Sequence, residues 1–282
     1  MFMIEIVNFH KSFGSVTAVD GLSLTVPKGE LFGLLGPNGA GKTTTVRGIC
    51  GLLKANTGNV YIDGKPPTDL SVRRKIGLAP QDLSLYKDLS AEENLIFLGK
   101  LYGLSGSYLS ERTNWCLDFA GLQPRRRHRV KTYSGGMQRR LNLAAALIHD
   151  PPILILDEPT VGVDTQSRNS ILESILELRQ QGHTILYTTH YMEEAQRICD
   201  RVGIIDHGKL LALDTVAELI RSHGGKAIII VEKGGEEERL ITDDPLETLS
   251  HLDWKNRPER LRIEPASLES VFLNLTGRQL RD

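Results

Sequence analysis

The stretch 36–43 constrains this chain more than any other part of it. Its residues, Gly-Pro-Asn-Gly-Ala-Gly-Lys-Thr, match the phosphate-binding pattern G-x-x-x-x-G-K-[ST]. The apolar run 31–35 predicts a buried strand before it, and residues 43–50 predict a helix after it. The glycines let backbone N–H groups point inward as an anion nest at the positive end of that helix. We therefore expect a bound nucleoside triphosphate, with Lys42 on its β- and γ-phosphates and Thr43 on Mg²⁺. An ordinary glycine-rich turn is the alternative, and it leaves Lys42 and Thr43 unexplained.

Composition narrows the classes of protein that remain. The 282 residues include 34 basic and 35 acidic side chains, and this balance does not suggest a nucleic-acid or membrane-surface protein. The three cysteines, Cys50, Cys116 and Cys199, are far apart, which indicates neither a disulfide framework nor a metal site. No apolar run approaches the roughly 18 residues that a membrane span needs, and the first residues do not resemble a secretory signal. We expect a cytoplasmic protein that reaches a membrane only through a partner.

Patterning divides the chain into four parts. Residues 3–35 predict antiparallel strands and turns, followed by short strands at 58–64 and 76–79. Residues from about 84 to 149 read as an inserted helical segment. Strand and helix patterns then alternate over 153–213, which indicates an α/β core with a parallel sheet. The composition changes past Asp214, and we expect residues 1–216 to form the main, nucleotide-binding domain. The interval 217–282 predicts a small α+β appendage, with a strand at 228–231, a polar turn at 234–238 and a capped helix at 267–275.

Two carboxylates end a second buried strand. The run 153–156, Ile-Leu-Ile-Leu, is followed by Asp157 and Glu158. The end of a parallel strand beside a phosphate loop is where an Mg²⁺-coordinating aspartate belongs, so Asp157 fits that role. Glu158 is placed to polarise the attacking water as a general base. The alternative is an acidic helix cap or a solvated turn.

A second glycine-rich stretch, Tyr133-Ser134-Gly135-Gly136-Met137, opens another predicted helix. On its own it could be a plain serine N-cap. The phosphate loop, Ser-Gly-Gly and Asp-Glu, in this order and separation, together resemble the ATPase subunit of ABC transporters. The usual signature there is Leu-Ser-Gly-Gly-Gln, and it reads the γ-phosphate bound on the opposite subunit. Tyr133 and Met137 depart from that signature.

The resemblance implies a fold and a set of site residues. The fold is α/β, a P-loop NTPase with a RecA-like parallel sheet, an N-terminal antiparallel β subdomain and a helical signature subdomain. It implies an adenine-stacking aromatic at Phe13, a glutamine loop at Gln81, a loop crossing to the partner at Asp164 and a switch histidine at His190. Structural alternatives are ordinary core for Phe13 and an N-cap for Asp164. The nucleotide set is Phe13, Val19, Gly36, Pro37, Asn38, Gly39, Ala40, Gly41, Lys42, Thr43, Thr44, Ser134, Gly135, Gly136 and Asp164; the catalytic set is Gln81, Glu158 and His190; the metal set is Thr43, Gln81 and Asp157.

The C-terminal segment narrows the resemblance further. Residues 267–273 and 275–278 resemble the extension of the exporter ATPases that pair with ABC-2 type permeases, such as the daunorubicin-resistance type. That branch implies a membrane permease as partner and a location on the cytoplasmic face of the cell membrane. The chain holds one phosphate loop and one Ser-Gly-Gly, so two copies, or two closely related subunits, would pack head to tail around two ATP.

Other functions stay open at this point. A soluble ATPase of the same superfamily acting on DNA or ribosomes usually has long heptad insertions or two ATPase units, and neither is present. An importer ATPase differs only in the C-terminal resemblance, and a GTPase or kinase would leave Ser134-Gly135-Gly136 without a role. The basic run 125–131 lacks interleaved aromatics, so we interpret it as solvated surface and expect no nucleic-acid partner.

Overall fold

A computed structural model describes residues 2–233, 235–252 and 258–277. The chain divides into two compact units after Leu213. Among the described residues, no helix is both long enough and apolar enough to cross a bilayer.

The first unit contains the predicted α/β core. Its strands are β1 (Phe2–Phe13), β2 (Val16–Pro27), β3 (Leu31–Leu35), β4 (Thr57–Ile62), β5 (Ile76–Ala79), β6 (Ile153–Asp157), β7 (Thr184–Thr189), β8 (Arg201–Asp206) and β9 (Lys209–Thr215). Its helices are α1 (Lys42–Ile49), α2 (Leu70–Arg73), α3 (Ala91–Leu101), α4 (Gly106–Phe119), α5 (Gly135–Ala146), α6 (Thr165–Gln180) and α7 (Met192–Ile198), with short 3₁₀ turns at Gln123–Arg125 and Val130–Thr132.

The central sheet has the order β5-β6-β7-β3-β8-β9. Strands β5 to β8 and β3 pair in parallel, as the continuous apolar runs predict. Every residue of β3, β6 and β7 is buried, so both faces of these strands are covered. The β8–β9 hairpin turns at His207 and Gly208, both with positive φ, which suits a tight two-residue turn. The phosphate loop follows β3 and the two carboxylates end β6, so the strand order brings both motifs to one edge.

The antiparallel sheet has the order β2-β1-β4, as predicted for the N-terminal part. Its inner face packs on α1, where a Cβ placed on Gly48 would lie 2.7 Å from the Phe9 ring. The predicted helical segment holds α3, α4 and α5. Ser90 begins α3 with a capping box: Glu93 N donates to Ser90 Oγ at 3.2 Å, and Ser90 N donates to Glu93 Oε2 at 2.8 Å.

The second unit is a small α+β structure. Its elements are α8 (Val216–His223), β10 (Ala227–Lys233), β11 (Glu236–Thr242), α9 (Pro245–Ser250), β12 (Arg260–Glu264) and α10 (Leu268–Thr276). The sheet has the order β11-β10-β12, and α10 packs on α8. As predicted, Ser267 caps α10. Arg278, which belongs to the C-terminal resemblance given above, lies outside the described residues.

The predicted polar turn at 234–238 is wrong over most of its length. Strand β11 already begins at Glu236, and Glu237 and Glu238 pair with Glu232 and Val231 of β10. Backbone hydrogen bonds hold this ladder while the charged side chains point to solvent, which is common for an edge strand. Gly234 lies outside the described residues.

Candidate functional site

The phosphate loop is shaped by close backbone contacts. Gly39 and Gly41 have φ of 83° and 107°, which favours glycine. A Cβ on Gly36 would lie 2.2 Å from Ile205 O, and one on Gly41 would lie 2.4 Å from Ala18 O. Gly208, in the β8–β9 turn, donates its N–H to Ala40 O at 3.0 Å and accepts from Asp20 N at 2.8 Å. The loop is therefore pressed between the β8–β9 turn and β2.

Lys42, the first residue of α1, points back along this loop. It is only 4% exposed. Its Nζ donates to Gly36 O at 2.7 Å and to Pro37 O at 3.1 Å, and lies 3.0 Å from Glu158 Oε1. A buried ammonium in such a position offers a fixed positive charge to an entering phosphate.

The two carboxylates at the end of β6 are held by β7. Thr188 Oγ1 donates to Asp157 Oδ1 at 2.6 Å. Glu158 has a positive φ of 48°, and its N–H lies 3.1 Å from both Thr188 O and Thr188 Oγ1. Because Glu158 has this left-handed conformation, its carboxylate is directed differently from that of Asp157. A non-glycine residue in this conformation is strained, and such strain is found at functional sites.

Three polar groups converge on Glu158. Besides Lys42 at Oε1, its Oε2 lies 3.5 Å from Gln81 Nε2 and 3.3 Å from His190 Nδ1. The contact with His190 has an ion-pair distance but not the angle of a hydrogen bond. The structure thus brings together residues that are widely separated in sequence, and the carboxylate has both a cation and a titratable ring beside it.

An open cleft of about 490 Å³ runs along the loop. It is lined by Phe13, Ala18, Asn38, Gly39, Gly41, Lys42, Thr43, Thr44, Gln81 and Glu158. Phe13 is 51% exposed, unlike a core aromatic, so its ring is available at one end of the cleft. Val19 is buried and lies beneath Gly41, where its Cγ2 would be 3.3 Å from an added Cβ. The described lining does not include Gly36, Pro37, Ala40, Asp157 or His190. Three of these five, Gly36, Pro37 and His190, contact residues that line the cleft.

The predicted metal set fits Mg²⁺ in its chemistry. Thr43, Gln81 and Asp157 offer a hydroxyl, an amide oxygen and a buried carboxylate, all hard oxygen ligands of the kind that Mg²⁺ takes. Within the described ranges, no group of three or more His, Cys, Asp or Glu could enclose a metal. A magnesium ion held by these three groups would take water and phosphate oxygens as its other ligands, as Mg²⁺ commonly does.

The Ser-Gly-Gly stretch opens α5 at the surface. Ser134 is the N-cap, and its Oγ accepts from Met137 N at 3.3 Å. Ser134 and Gly135 are exposed and do not line the described cleft. Tyr133 is buried and donates its hydroxyl to Arg125 O at 2.7 Å. Tyr133, the residue that departs from the usual signature, thus attaches the start of α5 to the loop that contains Arg125.

Asp164 lies beside this helix start. It caps α6 by accepting from Ser167 N at 2.9 Å and Ser167 Oγ at 2.8 Å, which hold its pKa below the ordinary value. A Cβ on Gly136 would lie 2.2 Å from Ser167 Oγ and 3.7 Å from Asp164 Oδ2. The sequence interpretation of Asp164 as an N-cap is confirmed, and the structure joins it to Ser134-Gly135-Gly136 on one surface.

Comparison with known proteins gives this geometry a family. Residues 19–161 match the family model described as ABC transporter. The linearmycin resistance ATP-binding protein LnrL of Bacillus subtilis is 40% identical, over 99% of this chain and 100% of its own. The chain belongs to the ABC transporter ATP-binding family. It is an ATPase subunit, as the motifs predicted.

Other relatives and structures agree with this ABC ATPase. A Nod factor export ATP-binding protein I of Paraburkholderia xenovorans is 42% identical over 99% of this chain and 98% of its own. An ATP-binding subunit of an ABC transporter superposes with a TM-score of 0.71 at 30% identity, covering 79% of this chain and 93% of that one. A dimeric cassette in a post-hydrolysis state with ADP and Pi gives 0.69 at 29% identity, covering 76% and 98%.

Two residues of the ABC ATPase site were missed from the sequence. Ala18 lines the cleft, but a small residue in a strand carries no sequence signal. Arg139 of α5 donates its Nη1 to Gln81 O and its Nε to Val161 O at 3.2 Å. It links the signature helix to the glutamine loop and to the segment after Glu158, and only the fold shows that these parts meet.

The basic run 125–131 is partly paired. Arg126 Nη2 lies 2.7 Å from Glu92 Oε1, and Lys131 Nζ lies 2.7 Å from Asp88 Oδ1. Both acids belong to the helical segment or its entry. These charges thus contact their own subdomain.

Proposed function

We propose that this ABC ATPase works as a dimer in which each ATP lies between the phosphate loop of one chain and the Ser134-Gly135-Gly136 of the other. The observation that carries the proposal is the separation of two half-sites within one chain. Lys42, Gln81, Glu158 and His190 gather around one cleft, whereas the signature is exposed outside it. The dimeric cassette found with ADP and Pi supports this arrangement.

Within each site, we assign the roles by contact and charge. Phe13 stacks on adenine, and Lys42 together with the N–H groups of 38–44 binds the phosphates. Glu158 accepts the proton of the attacking water. His190, next to Glu158, donates to the γ-phosphate and orients that carboxylate. Asp164 stands at the edge that faces the other chain.

Thr43, Gln81 and Asp157 would hold Mg²⁺. The metal, when bound, neutralises charge on the β- and γ-phosphates. The hydrogen bond from Thr188 to Asp157 keeps one carboxylate oxygen occupied and fixes the direction of the other.

A mixing experiment tests the shared site. Lys42→Ala disables the phosphate loop, and Ser134→Arg blocks the signature at an exposed position. Each variant alone should hydrolyse ATP at background rate. An equimolar mixture should regain a clear part of wild-type turnover, because a mixed dimer holds one site in which both halves are intact. No recovery, in mixtures shown by sizing to contain dimers, would contradict the head-to-tail homodimer.

We further propose that the chain powers an exporter with an ABC-2 type permease on the cytoplasmic face of the membrane. The relatives named for linearmycin resistance and for Nod factor export support this. Residues 217–282 would be an accessory domain of that branch. Mild solubilisation followed by pull-down of the tagged chain should recover a polytopic membrane protein. Recovery of ribosomes or DNA in its place would contradict the proposal.

A further inference from the structure

A buried carboxylate outside the cleft has so far no role. Glu194 lies in the first turn of α7, is 4% exposed and is not among the described lining residues of the cleft. Its Oε2 accepts three hydroxyls: Tyr187 at 2.6 Å, Thr160 at 2.9 Å and Thr189 at 3.1 Å. Burial and the Glu194 charge raise the pKa of Tyr187 well above its usual value, so this hydroxyl stays protonated and donates. A buried carboxylate that accepts this many hydrogen bonds holds the surrounding segments in one arrangement.

The three hydroxyls come from segments that carry the reaction chemistry. Thr160 lies two residues after Glu158, and Thr189 lies immediately before His190. Tyr187 belongs to β7, the strand that ends at the histidine. Glu194 therefore ties the segment that carries the general base to the segment that carries the switch histidine.

Thr189 holds the backbone on both sides of His190. Its Oγ1 donates to Glu194 Oε2 and accepts from Tyr191 N at 2.9 Å. One hydroxyl, that of the residue before His190, thus bonds both Glu194 and the backbone N–H of the residue after His190. Since His190 Nδ1 lies 3.3 Å from Glu158, a small rotation of this segment changes the contact.

Arg168 lies near both Glu194 and Tyr191, the residue that follows the histidine. Its Nε lies 3.4 Å from Glu194 Oε1, and its guanidinium lies 4.6 Å from the centre of the Tyr191 ring. The Tyr191 ring in turn lies 4.1 Å from the His190 ring. Arg168 belongs to α6, which Asp164 caps. The same carboxylate is therefore connected to His190 in two ways, through the Thr189 hydroxyl and through Arg168 and the Tyr191 ring, although the Arg168 contact has an ion-pair distance without hydrogen-bond geometry.

We propose that Glu194 is a positioning residue that holds His190 against Glu158 and links it to the start of α6. The inference rests on the proposed role of His190 at the γ-phosphate. A displacement of about 1 Å at a reacting group can cost about 10²-fold in rate, so losing this anchor should lower kcat and leave ATP affinity nearly unchanged.

The first test compares substitutions at neighbouring glutamates. Glu194→Ala should lower kcat by about 10- to 30-fold, with the Kd for ATP within about twofold of wild type. Glu194→Gln keeps an oxygen that accepts the hydroxyls and should stay within about threefold of wild type. Glu193→Ala is the matched control, because Glu193 is exposed in the same helical turn; its kcat should be unchanged. Thr189→Val, which removes only the linking hydroxyl, tests the idea if Glu194→Ala does not fold.

The second test asks whether Glu194 acts through His190. In a His190→Ala background, Glu194→Ala or Thr189→Val should change kcat by less than about twofold, because the group they position is gone. If the full penalty is repeated there, or if Glu194→Ala and Thr189→Val both leave kcat unchanged while His190→Ala lowers it, the inference is wrong. If His190→Ala itself leaves kcat unchanged, the proposed role of His190 fails instead.

Discussion

Two helices of this protein, α1 and α5, begin with glycine-rich turns that look alike in sequence, yet their surroundings differ. At α1 the first residue, Lys42, is buried and contacts Gly36, Pro37 and Glu158 of its own chain. At α5, Ser134 and Gly135 are exposed, and the serine hydroxyl contacts its own helix. Both ends offer N–H groups to an anion. The start of α1 is surrounded by the proposed catalytic side chains of its own chain. The start of α5 faces outward, which suits the proposed site that a second chain completes.

The largest loss of activity should come from a substitution beside the start of α1, at Glu158. Glu158→Gln removes the proposed general base while keeping the size of the side chain, and should lower ATP turnover by about 10²- to 10⁴-fold. Phosphate release measures the loss, and nucleotide binding should be retained. Sizing in the presence of ATP should show a trapped dimer. Normal turnover would remove Glu158 from the mechanism.

The next effect concerns binding. Lys42→Ala removes a charged donor aimed at phosphate, a contact worth about 1.5–3 kcal/mol, and should weaken ATP affinity by about 10- to 100-fold. Titration with a fluorescent ATP analogue measures it. Lys100→Ala, an exposed lysine in the last turn of α3, is the control. Equal affinities for both variants would contradict the assignment.

The two glycines of the outward end should respond differently. An alanine at Gly136 meets Ser167 Oγ at 2.2 Å, so Gly136→Ala should destabilise the fold by about 1–3 kcal/mol. A Cβ on Gly135 would meet only Gly162 O, at 3.5 Å. The free energy of unfolding of Gly135→Ala should therefore lie within about 0.5 kcal/mol of the wild-type value. The substitution should nevertheless lower turnover, because in the proposed dimer the added methyl group would face the ATP of the partner chain. Denaturant unfolding and phosphate release separate the effects. Full turnover in a stable Gly135→Ala protein would contradict a shared site.

The last effect concerns pH, and it lies just after α5. His149 stacks on Tyr102 with ring centroids 3.6 Å apart, and burial lowers its pKa to about 4. The folded protein therefore binds fewer protons than the unfolded chain between about pH 6.5 and 4. Stability should fall by about 3 kcal/mol across that whole window, because each pKa unit corresponds to about 1.36 kcal/mol. His149→Gln removes the titration, so its unfolding free energy should change less between pH 7 and 5. An equal change in both proteins would mean that other groups cause it.

Local sequence was sufficient for much of the fold. Strand β3 has the bounds that the apolar run 31–35 predicts, and the caps at Asp164 and Ser267 lie where aspartate and serine precede helical patterns. These features depend on neighbouring residues, which the sequence shows directly. Strand β11 was misread because its pairing with β10, and not its own acidic side chains, decides its conformation.

The site was only partly predictable for a related reason. The phosphate loop and Asp157-Glu158 are short motifs, each with its chemistry in one stretch. The network around Glu194 joins residues from three separate segments, and Arg139 bridges two loops. Such contacts follow from the strand order of the central sheet. A single glutamate in a helix gives no sign of them.

The contacts behind the phosphate loop have a mechanical consequence. The backbone of Ala18 lies against Gly41, and Gly208 bonds both Ala40 and Asp20. The phosphate loop, strand β2 and the β8–β9 turn thus contact one another through backbone groups. Backbone packing of this kind leaves a loop few ways to change shape. If ATP drives a movement in the proposed dimer, we expect it at the outward-facing start of α5 and in the second chain, and not in the phosphate loop.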